Sequence, residues 1–330
     1  MMQPSRRATP SRLPALMVLV AAIHLFTGSS TLMAQTPPPA AVIPPSHDAL
    51  PHLRARTLEA IERAAASAQG ILGVTVIDLT SGDTFGVGQD IAFPQASAIK
   101  IPVLMEVFKQ AHEGRFNLTD RLPVTDSVKA GGSGIIDAFG DGTSELAIRD
   151  LCVLMIVLSD NTATNMLINL VGMENVTATM TSIGASNTML RRVMMNVQAS
   201  MRGEENISTP ADAARIMALL HRHEFVNTEV SEGVLTILRL TKPGNIRYGL
   251  QGRVPMASKP GEIPGAVTEW AIIELDRRPY VLVVMAKFAP GTEGADLTKQ
   301  ISGIVFSYFQ RLANSSPYGA LMDASLWERR

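Results

Sequence analysis

Strand-like segments sit near both ends of this chain, and the long stretch between them reads mainly as helix. Ile71 to Ile77 and Thr84 to Val87 flank the turn Ser81-Gly82-Asp83, while Val267 to Leu275 and Tyr280 to Lys287 flank Asp276-Arg277-Arg278-Pro279. An isolated two-stranded hairpin is marginal in water, so the two distant hairpins are expected to join in one mixed sheet. Leu58, Ile61 and Ala65 recur at helical spacing up to Gly70, and 296–312 reads as a closing helix. These terminal helices back the sheet, and the middle of the chain becomes an inserted all-helical lobe. The fold class is α+β.

Within the lobe, helices are predicted at about 97–113, 145–158, 162–171, 174–183, 210–222 and 228–240. Thr209-Pro210-Ala211-Asp212 is a strong start signal, since Thr caps and Pro suits the first turn. Gly131-Gly132-Ser133-Gly134 marks a loop without the flanking pattern of a phosphate site.

Outside this unit the chain changes character. Arg6, Arg7 and Arg12 precede the apolar run Leu13 to Phe26, and small and polar residues follow to Ala34. This pattern predicts a secretory signal over 1–34. A run of 14 residues is short of the ~20 that span a bilayer, so no stable membrane insertion is expected once it is removed. The alternative is an uncleaved anchor. Pro37-Pro38-Pro39, Pro44-Pro45 and Pro51 make 35–53 an extended tether. The folded domain is placed at 54–314, with 315–330 as a loose tail lacking periodicity. A secreted or periplasmic location follows from the signal.

Composition removes several classes of function. With 46% apolar and 18% charged residues the chain is globular rather than disordered or collagenous. Its 29 basic and 30 acidic residues leave no field to attract nucleic acid. The single Cys152 forms no internal disulfide.

The chemistry lies in three short motifs. Ser97-Ala98-Ile99-Lys100 places a hydroxyl and an amine one turn apart on the same face at a helix start. Serine needs a base to become a nucleophile, and a desolvated lysine can act as one. Alone the motif is better read as a capping serine with a surface lysine. Sixty-two residues later, an apolar helix breaks into Ser159-Asp160-Asn161, which adds a second hydroxyl and an amide able to bond a lysine and a substrate amide. Ser258-Lys259-Pro260-Gly261-Glu262 then supplies a cation on an edge strand, and Gly261 leaves room for a ligand laid along it.

In this order and spacing the motifs resemble those of the class A beta-lactamases and the wider penicillin-recognising serine hydrolases, over about Arg54 to Leu312. The resemblance implies a beta-lactamase/transpeptidase-like fold with an antiparallel sheet, a helical lobe, and a cleft holding Ser97, Lys100, Ser159 and Lys259. It makes Ser97, Lys100 and Ser159 catalytic. Asn161, Lys259, Gly261 and Glu262 would bind substrate, with the N–H groups of Ser97 and Glu262 as the oxyanion hole. No cofactor or metal is implied, and the partner is a small β-lactam or a cell-wall peptide. Cys152 falls on a helix that is buried in the family, which makes it a core thiol.

Two departures matter. Pro260 stands where the family has a hydroxyl residue that helps hold the substrate carboxylate. More consequentially, the family carries a glutamate about thirty-six residues after the second motif's serine to activate the deacylating water, and Arg191-Arg192-Val193-Met194-Met195-Asn196 contains no acid. A rearranged loop would have to bring in Glu204 or Glu205. The expected activity is lactam opening through a Ser97 acyl-enzyme. The alternatives are penicillin-binding-protein-like acyl transfer with slow lactam turnover, or a non-catalytic cell-wall binding module. His221 and His223, two apart and without nearby partners, are not expected to bind metal.

Overall fold

The computed structural model describes residues 49–140, 142–250, 254–316 and 318–322. The expected signal over 1–34 and most of the expected tether lie outside them. From the N-terminal side, α1 (Ala49–Ser67) leads into β1 (Ile71–Asp78) and β2 (Thr84–Val87). There follow β3 (Phe93–Pro94), a 3-10 turn (Ala96–Ile99), α2 (Lys100–His112), β4 (Arg121–Pro123), β5 (Glu145–Ala147), α3 (Ile148–Val157), α4 (Asn161–Val171) and α5 (Met173–Ser182). Next come α6 (Val197–Met201), β6 (Ile207–Ser208), α7 (Pro210–His221), α8 (Thr228–Leu238) and α9 (Asn245–Gly249). The chain closes with β7 (Met256–Ile263), β8 (Ala266–Ile273), β9 (Tyr280–Lys287) and α10 (Glu293–Ala313).

The main sheet runs β2-β1-β9-β8-β7 and is antiparallel throughout, as the family resemblance implies and not mixed as the two distant hairpins alone suggest. A tight hairpin joins β7 to β8, residues 274–279 join β8 to β9, and β1 pairs β9 from Ile71↔Lys287 to Asp78↔Tyr280. Strand β9 is therefore central and buried on both faces, which explains its unbroken apolar sequence. Tyr280, Leu282 and Val284 pack with Ile61, Ile301 and Phe309 of the terminal helices. Val281, Val283 and Met285 point the other way, into the core of the helical lobe.

At the centre of the lobe, α2 is buried on nearly every side from Lys100 to Val107. A helix apolar all round has no solvated face, so a lysine at its start enters the protein with it.

Several boundaries differ from those expected. The first helix begins at Ala49, so residues 49–53 are helix rather than tether, and Pro51 sits in the first turn where a missing N–H costs no hydrogen bond. The helix expected over 145–158 starts at Ile148, because Glu145–Ala147 pairs with Arg121–Pro123. In the expected tail, Ser315 bridges to Leu321.

Candidate active site

The nucleophile segment is held before any side-chain chemistry begins. Ala96 has φ 44°, a left-handed conformation that non-glycine residues rarely adopt outside functional turns. Buried Gln95 fixes it from several sides. Its side-chain amide donates to Phe93 O at 2.9 Å, and Trp270 Nε1 donates to its Oε1 at 2.9 Å. Thr268 Oγ1 on β8 and the Ala98 N–H both donate to Gln95 O, at 3.0 and 2.8 Å. Nothing in the sequence marks Gln95 as part of the site, because all its partners are distant or backbone.

Gly261 on β7 meets this turn directly. A Cβ there would lie 2.7 Å from Ser97 N, Ala98 N and Gln95 O. Gly261 also lines the pocket beside Lys259, and its missing side chain serves the nucleophile's own turn as well, which a Cβ would strike.

Ser159, at φ 55°, projects its hydroxyl into the centre of the cluster. Ser159 Oγ donates to Ser97 Oγ at 2.8 Å and accepts from Lys100 Nζ at 3.1 Å and Lys259 Nζ at 3.2 Å. Lys100 also donates to Ser159 O at 2.7 Å and Asn161 Oδ1 at 3.0 Å. Three acceptors occupy its three donors, so Ser97 and Lys100 meet through Ser159 and not in the direct contact expected from their spacing. Asn161 Nδ2 donates to Gly131 O at 2.9 Å, and Lys259 Nζ to Pro260 O at 2.8 Å. Asp160 caps α4 through Ala163 N at 2.8 Å and takes Ile135 N and Ile136 N at 2.7 and 3.0 Å, tying the glycine-rich loop to the cleft.

Burial sets the charge states. Lys100 is 0% exposed, and desolvation lowers its pKa to about 7 against an opposing pull from Asp160. Lys259 is lowered well below the ordinary lysine range, first by burial and then by Lys100 and Lys242, with Glu269 opposing. Cys152 is buried and its thiol pKa is pushed up by desolvation, the state of a core residue.

Two pockets flank Ser97. One, of about 220 Å³, is bounded by Asn161, Met195 and Glu262, and the other, of about 280 Å³, by Ser159, Lys259 and Tyr248. Ser97 and Glu262 line both. Strand β7 is the sheet edge, so the N–H that Pro260 lacks is not needed to pair an outer neighbour.

The loop where a glutamate was sought is pinned by two asparagines. Met194 N donates to Asn165 Oδ1 at 2.8 Å, and Arg191 N and Arg192 N donate to Asn206 Oδ1 at 2.7 and 3.0 Å. Met195, at φ 63°, turns toward Gly132 and lines the pocket. Glu205 is engaged by Arg192 at 2.8 Å and by Ser200, and Glu204 by Arg202 at 2.8 Å. Neither lines the pockets beside Ser97. The rearranged loop that would deliver one of them is not what the chain adopts.

Known proteins resemble this chain to different extents. The model of the beta-lactamase enzyme family matches residues 55–309. Beta-lactamase L2 of Stenotrophomonas maltophilia is 32% identical over 157 residues, 47% of this chain and 50% of that protein. The chain thus spans about half the length of that curated relative. A beta-lactamase structure from Sphaerobacter thermophilus superposes with a TM-score of 0.72 at 30% identity, covering 77% of this chain and 97% of that one. A single-substitution variant of PBP-A, solved as an acyl-enzyme complex with penicillin G, gives a TM-score of 0.71 at 28% identity over 79% of this chain and 97% of its own.

Proposed function

Because this chain belongs to the beta-lactamase enzyme family, we propose that it is an exported serine hydrolase that opens β-lactam amides through a Ser97 acyl-enzyme. The observation that carries this reading is the hydrogen-bonded chain from Ser97 through Ser159 to Lys100, which ends on an amine whose pKa lies near 7. In its neutral form Lys100 takes a proton from Ser159 as Ser159 takes the proton of Ser97, whose Oγ attacks the carbonyl carbon. Collapse of the tetrahedral intermediate breaks the carbon–nitrogen bond, and Ser159 gives a proton to the leaving nitrogen as Lys100 returns its proton to Ser159. Lys259, beside Ser159, would hold the carboxylate of the leaving part, and Asn161 the amide of the acyl part. The Ser97 and Glu262 N–H groups would stabilise the oxyanion.

Hydrolysis of the acyl-enzyme is a separate matter. Met195 lines the pocket where a glutamate would activate water, and this favours a second reading: penicillin-binding-protein-like acyl transfer on cell-wall peptides, with slow lactam turnover. The non-catalytic binding module is disfavoured by the complete serine–serine–lysine chain.

Stopped-flow mixing of the protein lacking residues 1–34 with a chromogenic cephalosporin separates these readings. Sustained turnover supports the hydrolase, and a burst equal to the enzyme concentration with near-zero turnover afterwards supports the slow acyl enzyme. Penicillin labelling that survives Ser97→Ala would remove both.

A further inference from the structure

The pocket on the Ser159 side of Ser97 has walls that the other pocket lacks. Pro243, Tyr248 and Pro260 line it together with Ser159 and Lys259, and none of these borders the pocket beside Met195. Its polar grip is limited. A lysine ammonium has three N–H groups, and Lys259 already donates to Ser159 Oγ at 3.2 Å and to Pro260 O at 2.8 Å, which leaves one for a ligand. Burial and the neighbouring Lys100 and Lys242 also disfavour its charged form. Pro243 and Pro260 bring neither an N–H nor a hydroxyl. The largest of these walls stands on a fixed backbone. Tyr248 is 65% exposed, so its ring is open to a ligand. It belongs to α9, where Ile246 N donates to Glu269 Oε2 at 3.0 Å and Ser302 Oγ of α10 donates to Ile246 O at 2.7 Å. Gly249, the next residue, lies so close to Lys299 O and Ser302 that a side chain there would strike them. A wall held in this way loses little freedom when a ligand covers it.

We propose that Tyr248, with Pro243 and Pro260, makes the site selective for amides whose leaving part carries a flat aromatic group beside its carboxylate. The inference rests on the reading of Ser97 as acylating nucleophile. Under that reading Ser159 gives a proton to the leaving nitrogen, and Ser159 lines only this one of the two pockets, so the leaving part enters it. The carboxylate takes the remaining Lys259 N–H, and the flat group lies against the Tyr248 ring, where stacking adds to the burial of apolar area. A leaving part that is small or wholly polar forfeits this contact and is held by one lysine N–H.

Nitrocefin and cephalothin share an acyl group and a ring carboxylate, and they differ at one substituent of the leaving part, a dinitrostyryl arm in the first and an acetoxymethyl in the second. The second-order rate at which each lactam opens, followed by absorbance with the full-length chain in excess, gives a nitrocefin-to-cephalothin ratio. Intrinsic reactivity cancels when this ratio is compared between variants. Tyr248→Ala should lower it about two- to ten-fold, the range of an aromatic contact, and Tyr248→Phe should keep it. A ratio unchanged in Tyr248→Ala, or lowered as far in Tyr248→Phe, overturns the proposal, while continued opening of both cephalosporins leaves the nucleophile in place. No opening of either by the wild-type chain overturns the nucleophile reading, and the Tyr248 inference falls with it.

Discussion

Ser159 Oγ donates a 2.8 Å hydrogen bond to Ser97 Oγ while accepting from both lysines, so the nucleophile's link to a base runs through a second hydroxyl. Ser159→Ala should therefore interrupt both proton transfers of acylation at once. The acylation rate should fall about 10²- to 10⁴-fold, the usual weight of one positioned acid–base group. Rapid-quench measurement of penicillin adduct formation reads this, with slow labelling retained because Ser97 remains. An unchanged rate would mean that Lys100 reaches Ser97 directly in the complex.

Lys100 also fixes a pH dependence. Only neutral Lys100 accepts a proton, so acylation should rise with pH through about 7 and level off above it. Stability moves in the same direction. An unfolded lysine keeps its proton to about 10.4, whereas the folded one releases it near 7, so between these values the unfolded chain binds more protons and Lys100 contributes a stability that rises with pH. An acylation profile flat from about pH 6 to 8 would exclude Lys100 as base.

Met195 occupies the pocket wall beside Ser97, on a loop held by Asn165 through Met194 N at 2.8 Å. Met195→Glu would place a carboxylate there without disturbing that bond. If the acyl-enzyme persists for want of a base, the variant should deacylate faster by about 10²- to 10⁴-fold, with acylation changed far less. The steady phase after the cephalosporin burst measures this, and Met195→Gln controls for the change in shape. Equal deacylation in the Glu and Gln variants would assign any gain to shape alone.

What the sequence made legible follows from the range of each interaction. The strands at both ends were readable because β9 is apolar on both faces and its neighbours repeat over eight residues. The two- and three-residue pairs, Phe93–Pro94 with Ile207–Ser208 and Arg121–Pro123 with Glu145–Ala147, are too short to carry a period. The three motifs were visible as an ordered set, but their bond order was not. It depends on the left-handed backbone of Ser159 and on Asn161 competing for the Lys100 ammonium. Gln95 and Asn165 were invisible for a related reason, since the Ser208 carbonyl and Trp270 indole that bind the Gln95 side chain, and the Met194 N–H that binds Asn165, come close only in the tertiary fold.

Gly261 gives a test of the scaffold rather than the chemistry. A methyl group there would lie 2.7 Å from backbone atoms of Gln95, Ser97 and Ala98, none of which can rotate away. Gly261→Ala should push β7 from the nucleophile turn at a cost of about 1–3 kcal/mol in stability, typical of overpacking. Acylation should fall while Ser97, Ser159 and Lys100 are all present. Thermal melting and adduct formation together check this. A variant that melts and acylates like the wild type would show that the turn yields easily.

On the neighbouring strand β8 lies Glu269, in register with Pro260 and buried beside Gly244. Its Oε2 accepts from Ile246 N at 3.0 Å, which pins α9 against the Lys259 pocket. Desolvation raises its pKa to about 7, against opposing pulls from the Asn245 and Ile246 backbone and from Lys259 and Lys242. The folded chain then binds more protons than the unfolded one from about pH 4.3 to about 7. The stability that protonated Glu269 contributes is thus present below that window and lost as pH rises through the folded pKa. Glu269→Gln keeps the acceptor for Ile246 and removes the titration. The excess of its melting temperature over the wild type should be small near about pH 5 and grow toward about pH 8. Glu269→Ala should melt lower at both, since it also frees the Ile246 N–H. A difference between wild type and Gln variant that is constant across this range would mean that Glu269 does not change its charge there.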